Sequence, residues 1–242
     1  MSFYAISDLH GYPVEKFEAL LEKAGFNEND TLYIIGDVVD RNGDGGVSML
    51  QKIMAAPNYE FLLGNHEDML LACGFLFEEV TEQSIDALDE VKAKALQRYL
   101  RNGGGVTLEN LSKLRRQDED AFWEIIRFLK DAPLCAAVSC GGRDFLLVHG
   151  GLKDFSPEKK LRDYAPHDLL WERPSLEDEY FEDIITVFGH TPTAIYGDEY
   201  KGNVIMTRTW INIDSGAAYG LRPALLRLDD LEVIYGEACG ED

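Results

Sequence analysis

Apolar positions change period along this chain. Short apolar runs at residues 3–7, 31–35 and 59–63 read as strands. Between the first two, Val14, Phe17, Leu20, Leu21 and Ala24 fall on one helical face. Pro13 suits a first helical turn there, and Gly25 suits the stop. Residues 46–55 predict a second helix, and a third starts at about His66. Strand and helix alternating in this way imply parallel strands joined by crossover helices. The pattern then turns helical throughout 75–131. Ile85, Leu88, Val91, Ala95, Leu96 and Tyr99 carry helical spacing, as do Phe122, Ile125, Ile126 and Leu129. Asn102-Gly103-Gly104-Gly105 breaks that run and Pro133 marks its end. With no flexible linker on either side, it reads as a helical insertion in a single domain spanning 1–242. Strands return at 134–139, 144–149, 184–188, 210–213, 224–228 and 231–235, and Asp229-Asp230 turns the last pair. The expected architecture is mixed α/β, with two packed sheets flanked by helices.

The polar residues that matter sit where those runs stop. Four of the five histidines follow an apolar run, in Asp8-Leu9-His10-Gly11, Gly64-Asn65-His66-Glu67, Val148-His149-Gly150 and Gly189-His190-Thr191. A fifth run ends in Gly36-Asp37-Val38-Val39-Asp40-Arg41. Strand ends on one edge of a sheet converge on one crevice. Asp, Asn and His meeting there form an oxygen and nitrogen ligand set for more than one divalent metal.

Each motif also has a plainer reading. Asp8 and His10 would share a face if the strand continued, but a strand-end Asp usually caps the next turn. Asp37 can bridge two metals with its two oxygens, and Arg41 can fork onto a phosphate; equally, Asp40 and Arg41 can pair locally. Asn65 offers an amide oxygen that never titrates, or it N-caps the helix after it. His66 is placed near the metals without needing to bind them, with a pKa suited to a general acid. His167, in Pro166-His167-Asp168, breaks the strand-end pattern and is left out.

Composition narrows the partners. The formal net charge is −21, from 23 Lys and Arg against 44 Asp and Glu. Such a surface repels nucleic-acid polymers and anionic membranes. It still admits a small phosphorylated ligand where metal cations dominate the local field. Cys73, Cys135, Cys140 and Cys239 show no CxxC spacing and read as reduced core thiols. The amino terminus lacks a basic n-region, and no run approaches the roughly 18 apolar residues of a spanning helix. A cytoplasmic location is expected; oligomeric state is not legible.

Taken in order, Asp8-Leu9-His10-Gly11, Gly36-Asp37-Val38-Val39-Asp40-Arg41, Gly64-Asn65-His66-Glu67, His149 and Gly189-His190-Thr191 resemble the calcineurin-like metallophosphoesterases. Within these, the chain is similar to the lambda-type serine/threonine protein phosphatases and their diadenosine tetraphosphatase relatives. Asn102-Gly103-Gly104, Leu170-Trp171-Glu172-Arg173 and Ile213-Asp214-Ser215-Gly216 match further segments of that branch. Pro174 and the acidic stretch 177–183 depart from it.

The resemblance implies a four-layer αββα sandwich and two divalent metals, manganese foremost, with iron, zinc or nickel as other options. One metal would take Asp8, His10 and Asp37. The other would take Asp37, Asn65, His149 and His190. A metal-bridging hydroxide would attack phosphorus directly, and Arg41 and Arg173 would hold the phosphate oxygens. His66 would protonate the leaving group, oriented by Asp40. Trp171 would anchor the Arg173 segment, and Asp214 reads as a structural cap. The leading expectation is a phosphoserine or phosphothreonine protein phosphatase.

Three rivals remain open. A bis(5'-nucleosyl)-tetraphosphatase needs a nucleotide pocket from the insertion and the 152–183 segment, where Tyr164, Trp171, Tyr180 and Phe181 are the candidate aromatics. A cyclic-nucleotide phosphodiesterase would use the same metals. A catalytically silent metal-binding scaffold predicts gaps in the ligand set, and none is present.

Overall fold

The computed structural model describes residues 1–78 and 89–239. Ile85 and Leu88 of the first helical pattern lie outside them, as do the last acidic residues.

Strand β1 (Phe3–Ile6) leads through α1 (Val14–Lys23) to β2 (Thr31–Ile35), and α2 (Val47–Ala55) leads to β3 (Tyr59–Leu62). Both strand pairs are parallel, β1 beside β2 and β2 beside β3. Helix α3 (Asn65–Ala72) follows β3 after two residues. Beyond a 3-10 turn at Gly74–Phe77 come the insertion helices α4 (Glu90–Arg101), α5 (Gly105–Gln117) and α6 (Glu119–Asp131). Asp89 and Asp118 cap α4 and α6 with side-chain bonds to Lys92 N and Ala121 N.

The second half supplies β4 (Cys135–Cys140), β5 (Arg143–Val148), α7 (Pro166–Leu170), β6 (Ile184–Phe188), β7 (Ile205–Met206), β8 (Trp210–Asn212), β9 (Ala224–Arg227) and β10 (Glu232–Tyr235). The first sheet has the order β10-β9-β1-β2-β3 and the second β4-β5-β6-β8-β7. The second has a parallel centre and antiparallel edges, whereas in the first β1, β2 and β3 are parallel and only the pairings of β9, with β1 and with β10, are antiparallel. The last hairpin therefore returns to the first sheet, beside β1. Only the two-residue β7 had no counterpart in the apolar pattern.

Side chains alternate across each strand, and both faces of both sheets are covered. Ala5, Ile35, Leu62, Phe145, Leu147, Val187, Ile211 and Leu226 form the core between the sheets. Tyr4, Ile6, Leu32 and Ile34 point the other way, into the helices α1 to α6. On the outer face of the second sheet, Leu146, Val148, Phe188 and Trp210 meet Leu152, Tyr164, Leu169 and Tyr180. That outer layer is thin: α7 has five residues, and loops supply the rest. Helix layers thus enclose two mixed sheets, with the outer layer on the second sheet made largely of loop. No described helix is long and apolar enough to cross a membrane.

Pro13 is the cap residue before α1 rather than part of its first turn, with ψ at 134°. Asn65 opens α3 as its first residue, and Gly64 takes the cap position.

Candidate metal centre and active site

The strand-end motifs meet because the ladder between β1 and β2 carries on past the strands. Asp8 N–H donates to Gly36 O, His10 N–H to Asp37 O and Gly11 N–H to Val38 O. The backbone does not stay extended there. Asp8, His10, Asp37, Asp40, Arg41 and His190 all have positive φ, leaving only Asp154 and Leu231 as other non-glycine cases among the described residues. A shared strand face is therefore not what puts Asp8 and His10 together. Left-handed turns aim each side chain individually, and such strain concentrates at functional sites.

Asp37 lies at the centre, buried to 2% exposure. Its Oδ1 is 3.3 Å from His149 Nε2, and its Oδ2 is 3.5 Å from His10 Nε2. Asp37, His149 and His190 form one group close enough to hold a cation; His10, Asp37 and His66 form another. Both groups share Asp37. The tautomers point the same way. His10 Nδ1 donates to Val39 O and His149 Nδ1 to Ile35 O, each at 2.8 Å. A ring that donates through Nδ1 to a carbonyl turns its Nε2 to the centre, where a cation would take the place of any proton it carries.

Asn65 Oδ1 receives two rings at once, His149 Nε2 at 2.8 Å and His190 Nδ1 at 2.7 Å. Its amide oxygen faces the centre, so a cap bond is not its role. His190 Nε2 is buried without a hydrogen-bond partner. Asp8 accepts His190 N–H through Oδ2 at 2.9 Å, which ties the fourth motif to the first. All six residues expected as ligands are thus brought together. They form a set of carboxylate, amide and imidazole donors suited to hard or borderline divalent ions. The residues fit two such ions.

The electrostatics of so much buried polarity are lopsided. Burial raises Asp8 to about 6 and lowers His10 to about 3 and His190 to about 2. Burial also opposes charge on His149, but Asp37 beside it overrides that and raises it to about 10. Burial opposes charge on Asp37 as well, yet His149 and His66 hold it well below the usual carboxylate range. Burial, and then Asp8, push Asp214 well above that range. Asp214 caps Gly216 N–H at 3.0 Å, as its sequence context suggested, and also lines the pocket.

His66 differs from the others because its ring lies between a carboxylate and an arginine. Nδ1 donates to Asp40 Oδ2 at 2.6 Å, and Arg41 Nη2 lies 3.1 Å from Nε2. The arginine holds His66 beside the centre, where its ring is also within reach of a cation placed between His10 and Asp37. Burial works against its charge, but Asp37 and Asp40 raise its pKa. Asp40 does not pair with Arg41. It accepts Tyr99 O–H and Thr107 O–H on Oδ1, each at 2.7 Å. Tyr99 lies on α4 and Thr107 on α5, so the insertion reaches into the site. Gly103, at φ +94°, lets the intervening turn pass against Arg41, whose N–H donates to Gly103 O.

Glu67 went unnoticed at the sequence level, although it completes the Gly64-Asn65-His66-Glu67 motif. It is fully buried, and Oε1 accepts Val38 N–H and Val39 N–H. Oε2 accepts Asp37 N–H and Gly64 N–H. One carboxylate therefore ties the β2 end to the start of α3. An acid at the third helical position was the available signal. A Cβ at Gly64 would overlap Asp37 N and Oδ1, so only glycine fits that crossing.

The centre opens into a cavity of about 80 Å³, also lined by Arg41, Asn102, Trp171, Arg173 and Tyr219. Arg173 reaches it from the segment after α7, with Nη1 3.4 Å from Thr191 Oγ1. Trp171 holds that segment down, edge-on to His190 at 5.7 Å. Pro174 does not divert Arg173 away. Tyr164 and Tyr180 are core residues under the second sheet, Phe181 packs against them, and none of the three lines the metal cavity. That sheet has little helix to cover it and uses these rings instead.

The family model described as Calcineurin-like phosphoesterase matches residues 1–233. The chain belongs to this family. Its members depend on two metals, in keeping with the Asp37-centred geometry. Symmetrical bis(5'-nucleosyl)-tetraphosphatases are among its curated relatives. That of an Acidovorax strain is 29% identical over 163 residues, 66% of this chain and 48% of the relative. That of Chromohalobacter salexigens is 28% identical over 204 residues, 84% and 62%. The chain spans about half to three-fifths of the length of these relatives. Among solved structures, a serine/threonine phosphatase from Saccharomyces cerevisiae shares the fold at TM-score 0.62 and 16% identity, covering 100% of this chain and 81% of that one. A protein provisionally assigned as a diadenosine tetraphosphatase does so at 0.61 and 18%, covering 98% and 94%.

Glu67→Gln tests the backbone clamp. It turns one acceptor oxygen into an NH2 facing N–H donors, which costs about 2–4 kcal/mol. Denaturant unfolding is expected to show that loss, and metal titration a weaker site; wild-type values for both would contradict the clamp.

Proposed function

We propose that this chain is a two-metal hydrolase of phosphoric anhydrides in bis(5'-nucleosyl) polyphosphates. The observation that carries the two-metal reading is Asp37, whose two oxygens face separate imidazoles, His149 and His10. The substrate class is supported by the tetraphosphatase relatives, which match most of this chain. This ranks the dinucleotide reading above the phosphoprotein reading that the motif resemblance put first.

Asp8, His10 and Asp37 would hold one divalent ion; Asp37, Asn65, His149 and His190 would hold the other. When bound, the ions acidify water and polarise the phosphoryl group. The chain's own residues do the rest. Arg41 and Arg173 line the cavity and supply forked donors for phosphate oxygens, whose charge must be balanced in the transition state. In a protein of net charge −21, that local positive charge is what admits an anionic substrate. His66 would deliver a proton from Nε2 once Arg41 turns from it to a phosphate, its ring kept in orientation by Asp40, Tyr99 and Thr107. A nucleotide phosphate is a good leaving group and asks little of that proton; an alkoxide asks much more.

Two measurements test this. First, kcat/KM with Mn²⁺ is compared for diadenosine tetraphosphate and a phosphothreonine peptide. Preference for the dinucleotide is expected, and preference for the peptide would restore the phosphatase reading. Second, an ion at the second site must displace the proton that Asp37 holds on His149. Apparent Mn²⁺ affinity should therefore rise between pH 6 and 8, about tenfold per unit for one displaced proton. An affinity flat over that range would contradict the assignment of His149.

A further inference from the structure

An apolar groove of about 310 Å³ lies beside the metal cavity on the protein surface. Pro192, Ala194, Ile195, Lys201, Tyr219 and Leu221 line it. The two spaces adjoin, because Pro192, Ile195 and Tyr219 line both. Ile195 and Tyr219 are large apolar side chains left 65% and 63% exposed beside a site that is otherwise charged. Exposed apolar surface at the mouth of a polar cavity marks a place for an apolar part of a ligand.

We propose that this groove binds one nucleoside of a dinucleoside polyphosphate, with the base against Tyr219 and Ile195; this rests on the function proposed above. A phosphate chain held by Arg41 and Arg173 leaves the adjoining nucleoside at the cavity mouth, where the groove begins. Among the aromatics lining the cavity, Tyr219 is the one with room. Trp171 already carries the Arg98 guanidinium 4.0 Å over its ring and stacks with His167. Tyr219 has Arg41 at 5.3 Å, the same arginine that reaches His66. A base on Tyr219 is therefore coupled to the phosphate-binding arginine. Lys201, farther along the groove, adds a positive charge for an anionic ligand in a strongly acidic protein. Base stacking on an aromatic ring tolerates any base, so the groove selects nucleotides over bare phosphates rather than adenine over guanine.

The test compares two substrates in Mn²⁺, diadenosine tetraphosphate and inorganic tripolyphosphate, which has anhydrides but no nucleoside. Ala194→Trp fills the groove from an exposed position, and Leu221→Ala removes part of its wall. Unchanged thermal midpoints will show that both variants fold. The ratio of kcat/KM, dinucleotide over tripolyphosphate, is expected to fall about tenfold in each. A ratio that moves less than twofold, in a wild type that cleaves the dinucleotide, overturns the groove alone. A wild type that cleaves tripolyphosphate but not the dinucleotide overturns the substrate reading, and the groove with it.

Discussion

A buried carboxylate surrounded by imidazoles is the constraint on which the rest depends. Asp37 is almost wholly removed from water, so its charge must be balanced from within. The balance comes from His149 and His66, while His10 turns a neutral ring to it. Each of these sits on a different strand end, and each has its other ring nitrogen tied to a fixed oxygen, Ile35 O, Asp40 Oδ2 or Val39 O. The second carboxylate, Glu67, spends all its acceptor capacity on backbone N–H groups next to Asp37. Two sheets, a helix start and the insertion are thereby locked around one point. Without cations the groups at that point are close-packed buried polar groups that only protons relieve, so protonation and metal binding would compete here.

The same arrangement is costly to fold. Six non-glycine residues at the strand ends adopt left-handed backbone, at about 1–3 kcal/mol apiece where it is strained. They are tolerated because the sheets on either side are well buried and the β1 to β2 ladder continues into the loops. Binding of ions would return part of that cost as stabilisation of the folded state.

The strands and the residues that meet at the centre were legible because an apolar run ending in Asp, His or Gly-Asn-His is a local pattern. The geometry behind them was not. Asp8 and His10 share no strand face, since the chain turns left-handed at both. Tyr99 showed only helical spacing and Thr107 carried no signal, yet they reach Asp40 across 59 and 67 residues. Such contacts depend on how the insertion docks, which spacing along the chain does not encode. The aromatics of the 152–183 segment misled for a related reason: the thin outer layer of the second sheet consumes Tyr164 and Tyr180 as core. The available ring, Tyr219, sits instead in a short turn near the end of the fold.

The central claim is that Asp37 is shared by two cations. The most direct measurement is anomalous scattering from crystals grown with Mn²⁺. Two peaks are expected, flanking Asp37, one beside Asp8 and His10 and one beside Asn65, His149 and His190. A single peak, or two peaks that do not both contact Asp37, would contradict it.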